Sequence, residues 1–288
     1  MSTHEAGGRW RDEIPAPFDT HTAVEVDQAG TWTARLAPEL TGFGGTHGGY
    51  IAAIALRSMT MVVGEATRTP RSLTIQLLAS LEPGRVSLLP SPERHGSSMS
   101  AASVRIEQRG ELRCSALALF GSSRPSISYL GIEMPNVPGP ERCEPLLDKP
   151  APEARAGLLV EHRPAAPPLP LSGAARAEIL VWMRLLENRP LDVFQVAMLA
   201  DAGPPALFAH LTRFIPMPSV EMNIHFGTLK DLNESPWVLG VYRTLRAEEG
   251  YAIEDSELWT RDGQPLLQMR QLRRVLTSRS ITGPPRKA

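Results

Sequence analysis

Apolar and polar residues alternate along the chain in several short runs, interrupted early by one long apolar stretch. Trp32, Ala34 and Leu36 alternate with Thr31, Thr33 and Arg35, the period of a strand with one buried face. Residues 48–66, GGYIAAIALRSMTMVVGEA, place apolar side chains such as Ile51, Ile54, Leu56, Met59 and Val63 on nearly every side, which predicts a helix buried all round. Four strand-like runs follow at 71–81, 84–96, 98–110 and 111–121, with Arg109-Gly110 standing between the last two where a hairpin turn belongs. One helix followed by successive strands predicts an α+β unit whose sheet wraps the helix. From Ser122 to about Ser172 the chain turns dense in Pro and loses its period, so it reads as an irregular connection. A connection that long belongs between two domains rather than inside one.

The order then repeats. Residues 179–191 read as a strand ending in a turn, and 192–211 as an apolar helix capped by Asp192, with Pro204-Pro205 ending its regular part. Runs at 218–226, 237–251, 252–263 and 264–276 complete a second strand set, and Asp262-Gly263 is a hairpin signal. SLTIQLL from Ser72 matches SVEMNIHF from Ser219, and the turn at Gly110 matches that at Gly263. One unit used twice implies duplication and a pseudo-two-fold pair. The resulting division is an extension over 1–29, a first unit over 30–121, a Pro-rich linker over 122–172, a second unit over 173–278 and a tail over 279–288.

Composition narrows the class. The chain has 288 residues, 42% of them hydrophobic, enough for a sizeable core. With 30 basic and 31 acidic residues and no basic stripe, no nucleic-acid partner is expected. The two cysteines, Cys114 and Cys143, make neither a metal spacing nor a disulfide framework, so a reducing cytoplasm is expected and no metal or cofactor is called for. The polar N-terminus lacks a signal-peptide core, and no apolar run reaches the length of a membrane span.

The glycine cluster Gly42, Gly44, Gly45, Gly48, Gly49 invites a phosphate reading. It fails residue by residue: counted from Gly42, the third glycine of a dinucleotide fingerprint falls on His47, and no Gly-Lys-Ser/Thr follows. The small residues instead let the start of the buried helix approach another element closely.

Four stretches carry a family resemblance: HGGYIAAIAL opening the first helix, LADAGPPALF in the second, PSVEMNIHF on the next strand and DGQPLLQMRQLRRV at the end. In their order and spacing, from about Gly30 to Leu276, the chain resembles the double-hotdog type II acyl-CoA thioesterases. The resemblance implies two tandem hotdog units and hydrolysis of an acyl-CoA thioester, or of a carrier-protein thioester, by a water held between Asp, Ser or Thr, and Gln. These fall on Asp201, Ser219 and Gln271. His47, Gly48, Gly49 and Tyr50 fall on the helix-opening turn that would meet the substrate and supply backbone N–H groups to an oxyanion. The first unit has no carboxylate where Asp201 lies in the second, which implies one catalytic site per chain. Since hotdog sheets commonly pair edge to edge, a homo-oligomer is expected.

Each residue also has a plainer reading. Asp201 could cap the segment after it, although a buried carboxylate costs several kcal/mol unless paired. Ser219 could merely start a strand, Gln271 could belong to the polar alternation with Gln268, Arg270, Arg273 and Arg274, and His47 could be a structural hydrogen-bonding residue. His225 is expected to pack or face solvent. Trp182, Trp237, Trp259, Met183 and Met222 are expected in the core or lining an acyl tunnel. Arg184, Arg213 and Arg243 are candidates for the CoA phosphates. Other readings on the same fold are a non-hydrolytic acyl-binding protein, or a dehydratase or hydratase working through His47.

Overall fold

The computed structural model describes residues 17–42, 44–146, 156, 159–229 and 235–276. The expected tail and the first 16 residues of the expected extension lie outside them. A short helix α1 (Phe18–His21) and strands β1 (Glu25–Val26) and β2 (Trp32–Leu36) lead through a small hairpin, β3 (Thr41–Gly42) and β4 (Gly45–Thr46), into helix α2 (Gly48–Val63). Four long strands follow: β5 (Arg68–Leu77), β6 (Gly84–His95), β7 (Met99–Gln108) and β8 (Glu111–Ser122). The second half comprises β9 (Val160–Ala166), β10 (Glu178–Leu185), α3 (Val193–Ala200), α4 (Leu207–His210), β11 (Ser219–Phe226), β12 (Val238–Glu248), β13 (Tyr251–Thr260) and β14 (Pro265–Arg274).

Every strand except the β3–β4 hairpin joins one twelve-stranded sheet, in the order β1-β2-β6-β7-β8-β5-β11-β14-β13-β12-β10-β9. This is the double hotdog. Each half wraps its sheet around its own helix, and β5 pairs antiparallel with β11 at the pseudo-two-fold, Met222 opposite Ile75 and Ile224 opposite Leu73. The two stretches matched by sequence therefore hydrogen-bond to each other. The inward phase of the strands is apolar, for example Val104 and Ile106 on β7 and Ala116, Ala118 and Phe120 on β8, and it closes over a helix buried almost all round. Arg109 (φ 57°) and Gly110 (φ 78°) form the left-handed turn that the β7–β8 hairpin requires.

Two expectations are corrected. Residues 160–166 are not irregular: β9 is an edge strand paired with β10, a position that tolerates Pro164 because half of an edge strand's N–H groups need no partner. The second helix stops at Ala200, before Pro204. In a helix the ring of Pro204 would meet the carbonyl of Ala200, four residues back, which ends α3 there; at Gly203 the turn runs so close to β12 that a Cβ would lie 2.3 Å from the Tyr242 ring. The Pro-rich segment also has a packing role. Ile132, Met134 and Val137 cover Trp182, Trp237 and Trp259 on the outer face of the second half-sheet, and the Trp182 indole donates to the Pro138 carbonyl at 2.9 Å.

Candidate active site

Helices α2 and α3 pack alongside each other in opposite directions, the start of α2 at Gly49 against the end of α3 at Met198 and Arg57 over the Phe194 ring. The His47 side chain caps α2 through Nδ1, which accepts from the Gly49 N–H at 3.2 Å. The proton of that imidazole is therefore on Nε2, which lies 3.1 Å from the Asp201 carbonyl and donates to it. His162 of β9 does the same one residue on, its Nε2 lying 2.8 Å from the Ala202 carbonyl. Two imidazoles from different elements thus hold the turn that ends α3. Burial lowers the His162 pKa, opposed by its hydrogen bonds to backbone carbonyls.

Both glycines that open α2 lie close to the second half, Gly49 against backbone and Gly48 against side-chain ends. A Cβ on Gly49 would lie 2.3 Å from the Met198 carbonyl oxygen, and one on Gly48 would lie 2.7 Å from Asp201 Oδ2. The glycine cluster lets one helix start against its sister half.

Asp201 is the C-cap of α3 rather than a residue within the helix. Its Oδ1 accepts from Ser219 Oγ at 2.7 Å, and Ser219 Oγ lies 3.5 Å from Gln271 Oε1. The three residues named from the sequence therefore converge, from a helix end and from strands β11 and β14. Two more belong with them. Arg273, two residues beyond Gln271 on the same inward phase of β14, donates from Nη1 to Ser219 Oγ at 3.1 Å and from Nε to Glu254 Oε1 at 3.0 Å. Its Nη2 lies 3.5 Å from Asp201 Oδ1. Glu254, fully buried on β13, also accepts from Gln271 Nε2 at 2.6 Å and from the Ala206 N–H at 2.5 Å. Burial works against the charge on Arg273, but the Glu254 and Asp201 carboxylates outweigh it and hold the guanidinium above its ordinary pKa. The signal for both residues was present in the sequence: each is a charge at the inward phase of a strand, in step with Leu267 and Met269 on β14 and with Ala252 and Leu258 on β13.

A cavity of about 830 Å³ opens where the two helix ends meet. Apolar side chains including Ile51, Leu77, Leu81, Phe208 and Met217 line it, and His47, Asp201, Ser219 and Arg273 supply its polar edge. Gly48 lines it as well, but Gly49, Tyr50 and Gln271 do not. Tyr50 is buried between Phe18, His21 and His47, and burial pushes its phenol well above the usual range. Of the N–H groups in the helix-opening turn, Thr46's bonds Leu81 O, His47's bonds Leu40 O and Gly49's bonds the His47 ring. The Gly48 N–H, at the first helical position, has no acceptor within its helix.

The remaining candidates lie elsewhere. His225 is exposed. The three tryptophans, Met183 and Met222 are core residues that do not touch the cavity. Arg184 pairs with Glu161, and Arg243 with Glu178 and Glu257.

Residues 36–121 match the family profile of the acyl-CoA thioesterase N-terminal domain, and residues 140–275 that of the acyl-CoA thioesterase C-terminal domain. Among solved structures, a hot dog fold protein of unknown function from Alicyclobacillus acidocaldarius is 26% identical, with a TM-score of 0.82 over 92% of this chain and 99% of its own. The acyl-CoA thioesterase II TesB2 from Mycobacterium marinum is 21% identical, with a TM-score of 0.71 over 90% of this chain and 98% of its own. The dehydratase domain of PpsC from Mycobacterium tuberculosis shares the fold at a TM-score of 0.52 and 15% identity, covering 91% of this chain and 100% of its own. No curated protein matches the chain by sequence.

Proposed function

The chain belongs to the acyl-CoA thioesterase family, and from that premise we propose that it hydrolyses an acyl-CoA thioester to the free acid and CoA, with the attacking water held by Asp201 and Ser219 and with Gln271 behind them, its Nε2 on Glu254. The observation that carries the reading is the 2.7 Å hydrogen bond from Ser219 to Asp201 at the wall of an apolar cavity. A buried carboxylate at the cavity wall, with Ser219 on Oδ1 and with Oδ2 close to Gly48 and 3.9 Å from His47 Nε2, is suited to receive a proton.

The chemistry follows from that placement. Ser219 gives its proton to Asp201 Oδ1 and accepts from Arg273, so a lone pair of its oxygen is left to hold one hydrogen of a water. Gln271 takes no part in holding the water; its Nε2 donates to Glu254. Asp201 Oδ2 holds the other hydrogen, and the water's lone pair is turned toward the thioester carbon. As the water oxygen bonds that carbon, its proton passes to Asp201 and the carbonyl becomes an oxyanion. Collapse of the tetrahedral intermediate breaks the carbon–sulfur bond. The thiolate leaves as CoA, taking a proton back from Asp201. The Gly48 N–H, at the positive end of α2, is a donor for the oxyanion. His47 has both ring nitrogens occupied in structural hydrogen bonds, which disfavours the dehydratase reading. Exposed Arg274, a lining cation, is suited to the CoA phosphates.

The test is thiol release from short, long and aromatic acyl-CoAs by wild type and Asp201→Asn. Loss of turnover by about 10²–10⁴-fold in a folded variant is the expected result. Equal rates would remove Asp201 from the mechanism, and no turnover by wild type on any acyl-CoA would favour a carrier-bound substrate or a binding role.

A further inference from the structure

The lining of the cavity divides by chemistry. One group of lining residues gathers at the surface around Gly44, where a Cβ would lie 3.4 Å from Pro218. Ser80 Oγ donates to the Gly44 carbonyl at 2.7 Å, and the N–H of Arg274, the exposed cation, donates to the Pro218 carbonyl at 3.0 Å. The other group comes from the chain that follows α3 and from the end of the Pro-rich segment. Met217 and Phe208 are its buried members, and the Phe208 and Phe214 rings stand 5.3 Å apart. Leu171 completes it. These four side chains carry no hydrogen-bonding N–H or O–H, so this arm suits hydrocarbon, while the cationic surface end suits the nucleotide of CoA.

Leu171 is held in an unusual way. Its φ is 62°, the left-handed region that glycine enters freely and leucine does not. The turn around it is tied to α4 and the residue after it: the N–H groups of Leu171, Gly173 and Ala174 donate to the carbonyls of Phe208, Leu211 and Ala209 at 2.6, 3.1 and 2.8 Å. Those backbone bonds would hold a glycine equally well, so they do not account for leucine. Nor is its side chain a core residue, since it is 40% exposed, and Phe214 is 44% exposed. A strained residue that presents a large apolar side chain to a cavity is a candidate ligand contact.

We propose that the acyl chain lies in the arm of Met217, Phe208, Phe214 and Leu171, and that Leu171 is a specificity-determining residue that covers the far part of the chain. This rests on the thioesterase reading above. The arm takes an unsubstituted hydrocarbon, because a hydroxyl or carboxylate on the chain would be buried there without a partner. A long chain reaches Leu171 and gains from it; a short one stops before it.

The experiment measures kcat/KM for butanoyl-, octanoyl- and dodecanoyl-CoA by thiol release, on wild type, Leu171→Gly and Leu171→Asn. Glycine and asparagine both tolerate the backbone at this position, and asparagine keeps the turn stiffer, so a loss common to both variants belongs to the side chain. Each is expected to lower the value for dodecanoyl-CoA about fivefold or more beyond any change for butanoyl-CoA, with octanoyl-CoA between. Equal changes at all three lengths, no change at any, or a wild type that accepts butanoyl-CoA alone would overturn the role of Leu171 and leave the acyl-CoA reading in place. No turnover by wild type on any of the three would overturn that reading, and this inference with it.

Discussion

The contact between the two helix ends can be tested at a single atom. Gly49→Ala places a methyl 2.3 Å from the Met198 carbonyl oxygen and 3.1 Å from its carbon. The closer contact falls short of van der Waals separation by roughly 1 Å, and the opposing atoms are backbone, which cannot rotate away. Relief requires α2 and α3 to part in a close-packed core. Overpacking of this kind costs about 1–3 kcal/mol, and a backbone opponent puts it near the top of that range. The backbone at Gly49 is not left-handed, so alanine returns up to about 1 kcal/mol as a better helix former. The net loss is about 2 kcal/mol, equivalent to a fall in Tm of roughly 4–8 °C for a chain of this size. Gly48→Ala is the paired control. Its methyl meets the ends of side chains, Asp201 Oδ2 at 2.7 Å and Leu77 Cδ1 at 2.9 Å, which can move aside. It should change Tm by less than about 2 °C and lower kcat at least tenfold by displacing the Asp201 carboxylate. Differential scanning calorimetry with thiol-release kinetics reads both. A Gly49→Ala protein as stable as wild type would refute the close helix contact, and a fully active Gly48→Ala protein would refute the placement of Asp201 Oδ2.

Ser219→Ala should lower kcat by roughly 10²-fold with little change in KM, while Ser219→Thr retains most activity; equal kcat for wild type and Ser219→Ala in the same assay would remove the hydroxyl from water positioning. Burial lowers the pKa of His162 and of His21, where Glu39 and Glu187 oppose the effect. The unfolded chain therefore binds these protons first, and stability present above about pH 6.5 is lost as pH falls below it. His162→Gln should accordingly destabilise less at pH 5.5 than at pH 8 in urea melts, and a penalty independent of pH would contradict a neutral buried His162. Burial pushes the Cys114 thiol up to about 12 and raises that of Cys143 despite Arg163 and Arg142 nearby. A colorimetric thiol reagent at pH 8 should label both slowly in the folded protein and rapidly in guanidinium, and fast labelling of folded protein at Cys114 would place that strand in solvent.

The parts of this molecule that could be read from its sequence are those in which a local rule and the fold agree. Strand alternation, an all-apolar helix and turn residues such as Arg109-Gly110 each follow from the burial of one face, and their repetition exposes the duplication. What sequence order conceals is contact between elements far apart along the chain. The stop of α3 is signalled by Gly203-Pro204-Pro205 just beyond it, but the need for glycine at 203 is not, because it comes from the ring of Tyr242, some forty residues on. Strand β9 is hidden by prolines that only an edge position excuses. The site divides in the same way. Asp201, Ser219 and Gln271 could be placed through the resemblance of the stretches around them, and the structure brings all three together. Arg273 stands between polar neighbours such as Arg270 and Arg274, yet alternation from Leu267 and Met269 through Gln271 carries it to the buried face. Glu254 sits at the same inward phase on β13, between Ala252 and Ser256. A lone charge on an inward phase reads as an error of period. Two of opposite sign on neighbouring strands, closed onto each other at 3.0 Å, read as a built pair. That pair stands beside the Ser219 hydroxyl, to which Arg273 donates at 3.1 Å, and so ties the polar interior of the second half-sheet to the cavity wall.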